Sequence, residues 1–306
     1  MRYTISMVIE CQGVTKQFGS LKAVDNADFV VDKGEVVGFV GPNGAGKTTA
    51  INMILGFTRP TSGRVKVLGR VVTTEGAHRQ HSYMGYASGD MELPMRLTGR
   101  QYLDLITGIR GESFEKRLTD LSKRFAPQLD KQIHTLSRGN KQKIALIGAF
   151  LASPKLVVLD EPTSGLDPIM QERFMELIRE EAQRGTTIFM SSHYLGEIAE
   201  LCSRILLMQH GKIIEDVAAS ELLSRGGRTV TVVTSHKRTS APKGAEYVTK
   251  DTIDGMLRLR FTWKHDAPLL QVWLAAVKGL VDLEVSEYSL DSAFQRLYKD
   301  ETGGGA

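Results

Sequence analysis

The chain has little with which to staple itself, cross a membrane or wrap a nucleic acid. Only two of its 306 residues are cysteine, and Cys11 and Cys202 lie far apart without metal-ligand spacing. That excludes a disulfide framework and a thiolate metal site, and it fits a reduced compartment. No run reaches the roughly 18 apolar residues of a membrane helix; the most apolar stretch, 144–159, is broken by Pro154 and Lys155. The start, MRYTISMVIECQ, lacks the basic and apolar regions of a signal peptide. A formal net charge of +4 is too small over this length to mark a nucleic-acid stripe. If the protein serves a membrane process, another chain does the spanning.

What is present is an ordinary globular composition, 42% hydrophobic and 24% charged, with enough chain for one large and one small domain. Short β-rich runs open the sequence, MVIECQGV and NADFVVDKGEVVGFV, with Gly34 at a hairpin or tight connection between apolar stretches. A helix is expected from Lys47 to about Gly56, then a strand at RVKVLG and a Gly- and polar-rich passage from Gly85 to Pro94. Residues 98–136 read as mostly helical, with Tyr102, Leu103, Leu105 and Ile106 as apolar positions. The run Leu156–Leu159 is continuously apolar, as a strand covered on both faces of a parallel sheet would be. A helix over Met170–Arg184, a strand over Thr187–Met190 and a hairpin turning at Gly211 follow. Alternating strands and helices predict an α/β core with a parallel sheet. Beyond Gly226–Arg228 the pattern changes. TVTVVTS, GMLRLRFTW and LEVSEYSL read as strands, LLQVWLAAVKGL and Leu290–Tyr298 as helices, giving a small α+β domain over about 228–301 and a frayed tail.

Two local motifs carry chemistry. Gly41-Pro42-Asn43-Gly44-Ala45-Gly46-Lys47-Thr48 matches G-x-x-x-x-G-K-[ST] in full, between an apolar strand and a helix. Its glycines let successive N–H groups turn inward around a phosphate, and the helix start favours the same anion. A chance glycine-rich turn would predict neither flank. Lys47 is expected on the β- and γ-phosphates, Thr48 on Mg²⁺ and Thr49 on a phosphate oxygen. The second motif is LVVLDE. Asp160 ends a buried strand, where it would hold Mg²⁺, and Glu161 would polarise the attacking water as general base.

These motifs fix nucleotide use but little more. The stretch LSRGNKQKIALIGAFLASPKLVVLDEPTSGLDP, residues 136–168, resembles the signature, Walker B and D-loop block of ATP-binding cassette (ABC) ATPases. The resemblance runs over about residues 7–222, and the C-terminal SLDSAFQRLY is similar to ATPases of ABC-2-type exporters. It implies a P-loop NTPase of the ABC type over 7–225: a parallel-sheet core, an antiparallel β subdomain and a helical subdomain at about 90–150. It further implies that Phe18 stacks on adenine, that Ser137 and Gly139 face the partner subunit's ATP, that Asp167 communicates across the dimer and that His193 is the switch histidine. The implied activity is ATP hydrolysis with Mg²⁺, by a cytoplasmic homodimer peripheral to the membrane that powers export through separate permease subunits. Two departures stand out: the Q-loop glutamine is replaced by Gly89, with the Asp90 carboxylate beside it, and the signature is LSRGN. The competing readings are a cassette ATPase acting on ribosomes or nucleic acid, and a catalytically idle binding module.

Overall fold

The computed structural model describes residues 7–90, 92–110, 114–193, 198–225 and 227–287. They fall into two compact units, Met1–Ala219 and Ser220–Ala306. The helix expected at Leu290–Tyr298 and the tail lie outside the described residues.

The first unit holds two sheets. Strands β1 (Met7–Phe18), β2 (Leu21–Asp32), β4 (Ser62–Val67) and β5 (Arg70–Val71) form an antiparallel sheet in the order β2-β1-β4-β5. The second sheet runs β10-β9-β3-β8-β7-β6, from β3 (Val36–Val40), β6 (Met84–Ser88), β7 (Leu156–Asp160), β8 (Thr187–Ser192), β9 (Arg204–Gln209) and β10 (Lys212–Ala218). It is parallel except for β10, which returns from β9 through His210 and Gly211, both at positive φ. Every residue of β3, β7 and β8 is buried, which explains why these runs do not alternate. Phe29 on β2 stacks on Phe189 of β8 at 5.9 Å, and Phe39 of β3 lies 5.2 Å from Phe189, so one aromatic cluster joins the two sheets. Cys11 and Cys202 are both free and buried, and burial pushes their thiols well above the ordinary range.

Helices in this unit are α1 (Lys47–Ile54), α2 (His78–His81), α3 (Gly99–Arg110), α4 (Glu115–Phe125), α5 (Arg138–Leu151) and α6 (Pro168–Gln183), with a 3-10 turn at Ile133–Thr135. Among the described residues none is long and apolar enough to cross a membrane. Helix α7 (Ala219–Arg225) leads on to the second unit.

That unit is an antiparallel sheet in the order β12-β13-β11-β14, from β11 (Arg228–Thr234), β12 (Glu246–Ile253), β13 (Met256–Trp263) and β14 (Leu280–Glu287). Helix α8 (Ala267–Ala276) contributes Leu270 to a separate core with Val230, Val232, Leu259, Phe261 and Trp263.

Of the two readings at Gly34, the tight connection holds, at φ 76°, because β2 pairs with β1 while β3 pairs with β8 and β9. Two local expectations need correction. The passage from Gly85 contains a strand, β6. Its glycine serves packing: a Cβ there would lie 1.9 Å from the Ala149 carbonyl oxygen of α5. Strand β12, EYVTKDTI, has no apolar stripe to announce it, because all eight of its residues are exposed along the sheet edge.

Candidate functional site

The parallel sheet brings the separate motifs to one edge. Val40 pairs with Ser192, Asp160 with Ser191 and Ser88 with Asp160, so β3, β8, β7 and β6 all end level. The segments after them, beginning at Gly41, His193, Glu161 and Gly89, therefore face the same crevice. The carboxyl ends of such strands are where open α/β sheets bind ligands.

The glycine-rich loop after β3 is shaped by its surroundings. Gly44 and Gly46 stand at φ 82° and 108°, and Gly46 precedes α1 as its N-cap. A Cβ on Gly41 would lie 2.3 Å from the Met208 carbonyl oxygen, and one on Gly46 would lie 2.1 Å from that of Ala23. Beneath the loop, Gly211 N–H donates to the Ala45 carbonyl at 2.9 Å and Asp25 N–H to the Gly211 carbonyl at 2.8 Å. Pro42 accepts from Ala45 N–H at 3.1 Å. Asn43, Gly44 and Thr48 are exposed, and Thr49 is half-buried.

Lys47 is only 5% exposed, and its ammonium donates to the carbonyls of Gly41 at 2.7 Å and Pro42 at 3.2 Å. Burial lowers its pKa below the ordinary lysine value, against the opposing charges of Glu161 and Asp160. Its Nζ lies 3.9 Å from Glu161 Oε1, and His193 Nδ1 lies 3.5 Å from Glu161 Oε2. Lysine, carboxylate and imidazole thus form one line across the crevice. A cavity of about 250 Å³ adjoins it, lined by Glu161, Ser164, Gly165, Gln171 and His193 among others. Glu161 itself stands at φ 50°, a strained backbone for a residue with a Cβ and a frequent mark of functional positions.

Sequence reasoning did not single out Ser191. Its hydroxyl donates to Asp160 Oδ1 at 2.5 Å and accepts from Glu161 N–H at 3.0 Å, so one side chain orients both carboxylate residues. Buried Gln142 on α5 donates to the Pro162 carbonyl at 2.8 Å and holds the next turn. The polar pair closing the apolar strand TIFMSS was the one signal for Ser191.

Ser137 caps α5, with its hydroxyl 3.4 Å from Asn140 N, and Gly139 sits against the Gly165 carbonyl. Asp167 caps α6 by accepting from Met170 N–H at 2.9 Å, ahead of Pro168 in the first turn. Phe18, at the end of β1, is 53% exposed and so is no core aromatic, and Lys16 Nζ lies 4.9 Å from its ring centroid.

Gly89 is tightly held. Its N–H donates to the Asp160 carbonyl at 2.9 Å, and a Cβ would lie 2.8 Å from both the Glu161 carbonyl oxygen and Ser164 Cβ. Asp90 beside it is exposed, and one oxygen of its carboxylate accepts from Arg138 at 2.9 Å. Gly89→Ala is therefore expected to lower steady-state phosphate release roughly tenfold, by pushing Glu161 off its line. Gly89→Gln, nominally a restoration, should fall at least as far. A gain in turnover by either variant would show that the loop re-forms without cost.

The metal expectation fits the donor set. Asp160 is a 4% exposed carboxylate at the strand end, and among the described residues no cluster of three or more His, Cys, Asp or Glu competes with it. One carboxylate and the Thr48 hydroxyl suit an ion that takes its other oxygens from phosphate and water. A larger cleft, about 770 Å³, lies at the opposite edge beside Lys155 and Thr186, and none of the site residues lines it.

Known proteins resemble this chain over most of its length. The ABC transporter family profile matches residues 24–164. An uncharacterized ABC transporter ATP-binding protein, YcbN of Bacillus subtilis, is 31% identical over 239 residues, 76% of each chain. Nod factor export ATP-binding protein I of a Rhizobium strain is 30% identical over 299 residues, 95% of this chain and 97% of its own. Among solved structures, an ATP-binding subunit of an ABC transporter superposes with a TM-score of 0.65 at 28% identity, over 71% of this chain and 92% of that one.

Proposed function

This chain belongs to the ABC transporter family as an ATP-binding, ATP-hydrolysing subunit, and from that premise we propose that it works as a Mg²⁺-dependent homodimer driving export through separate membrane subunits. The single observation that carries the mechanism is the line Lys47–Glu161–His193 across the strand ends.

In this reading the backbone N–H groups of the loop from Asn43 to Thr48 cradle the phosphates, Lys47 and the α1 start meet their charge, and Phe18 offers its exposed ring to adenine. Glu161 draws the proton from the attacking water while His193 orients the terminal phosphate. Thr48 and Asp160 would hold Mg²⁺, which would supply charge neutralisation to the phosphates. Ser137 and Gly139 act on nucleotide held by a second copy, and Asp167 lies in the loop facing that copy. Each site is finished only by its neighbour, so ligand binding and closure are coupled.

Export follows the name of the Rhizobium relative, which is similar across nearly the whole of both chains. The permease would dock near α3 and the segment before it, where Met95 and Leu105 leave apolar side chains exposed. The units proposed from the sequence, a cassette over 7–225 and an accessory domain over 228–301, stand beside a membrane-peripheral, cytoplasmic position. The ribosome or nucleic-acid reading has no feature in its favour.

The test is phosphate release by the purified chain at rising protein concentration, with and without Mg²⁺. Turnover per chain should rise with concentration and require the ion. Turnover independent of concentration would count against the shared site.

A further inference from the structure

We propose that Arg138 is a positioning residue that braces three loops of one chain into a single moving unit, a role built around the glycine at position 89. The inference rests on the ATP-sandwich reading given above. The segment after β6 lies directly on the turn that follows Glu161, because Gly89 donates to the Asp160 carbonyl and leaves no room for a side chain. The next residue supplies the connection. Asp90 Oδ1 accepts from Arg138 Nη2 at 2.9 Å, and the same nitrogen lies 2.9 Å from Ser164 Oγ.

The three residues stand 48 and 26 positions apart along the chain, in the loop after β6, the first turn of α5 and the loop after Glu161. The backbones are close as well. A Cβ on Gly139 would lie 2.8 Å from the Gly165 carbonyl oxygen, and one on Gly165 would meet the Arg138 stem at 3.3 Å. Glycine at 139 and 165 thus allows the signature loop to press on the D-loop, and one guanidinium nitrogen of Arg138 spans the seam.

This brace adds little to the stability of the fold. Its side chains are 60% and 92% exposed, and pairs so open to water typically contribute under about 1 kcal/mol. Its value lies in what it connects. Ser137, Gly139 and Asp167 act on the second copy, while Glu161 acts within its own site. By tying Ser164 and Asp90 to the signature turn, Arg138 makes the loops that reach outward shift together with the turn that carries the base.

The experiment is a double-mutant cycle on the full chain, with Asp90→Ala, Arg138→Ala and the pair together, read as kcat, KM for ATP and Hill coefficient. Each single change should lower kcat about fivefold, with KM within twofold and the Hill coefficient falling towards one. The pair should be no worse than the poorer single. Arg138→Lys keeps the charge on a shorter side chain without the planar guanidinium and should lie between wild type and Arg138→Ala. If Arg138→Ala melts early, Asp90→Ala, which removes the acceptor at an exposed position, must still show the kcat loss, and its failure to do so overturns the inference. Losses that multiply in the pair, or a raised KM at unchanged kcat, also overturn it. A wild type that hydrolyses nothing would instead bring down the broader reading, and this inference with it.

Discussion

Glu161→Gln should bind ATP, gather into a two-chain species on gel filtration in Mg-ATP, and turn over about 10²–10⁴ times more slowly than wild type, the usual contribution of a positioned general base. Glutamine has nearly the volume of glutamate, and the φ of 50° at this position strains both residues alike. The hydrogen bond from the backbone N–H to Ser191 Oγ does not depend on the side chain. What is lost is the carboxylate between Lys47 and His193, and with it the acceptor for the water's proton. Removing a negative charge beside the terminal phosphate also relieves repulsion in the closed pair, so the two-chain species should persist. Retention of more than a tenth of wild-type turnover would move the base to another residue.

The second large effect is expected at Lys47. Lys47→Ala should lower kcat/KM for ATP by about 10²–10³, as losing one charge-stabilising donor in a closed site does. Its ammonium already sits against the Gly41 and Pro42 carbonyls, so the loss is of a group held in position before any phosphate arrives. The pH dependence has a definite sign. The charged form is the one that meets phosphate, and burial lowers the pKa of the ligand-free chain below 10.5. As pH rises through that lowered value the ammonium is lost and kcat/KM falls. Bound phosphate raises the same pKa, so kcat should hold to a higher pH than kcat/KM. Lys47→Arg, which keeps its charge throughout, should remove the alkaline fall in kcat/KM. A limb unchanged by that substitution would assign it to another group.

Sequence reasoning reached furthest where function is written locally. The phosphate loop and the Asp160–Glu161 pair each occupy a few consecutive residues with a required strand before them, and the three wholly buried strands read as mainly apolar, non-alternating runs. Beyond that, the parallel order had to be seen. No spacing announces that Ser88 pairs with Asp160, or that Ser191 bonds Asp160 across 31 positions. Strand β6 was hidden by a glycine whose role is close approach to α5, and β12 by its exposure on both faces. Arg138 was legible as a departure in the signature. Its purpose was not, because Asp90 and Ser164 come to it only through the fold.

The support beneath the phosphate loop has a thermodynamic consequence. Gly211 and Met208 from the β9–β10 hairpin and Ala23 from β2 hem the loop from below, and its lysine is already tethered to its own carbonyls. A loop fixed in this way has little conformational entropy left to lose when nucleotide arrives. More of the interaction free energy with ATP then remains to draw two copies together, and a nucleotide that binds one chain weakly could still close the pair firmly.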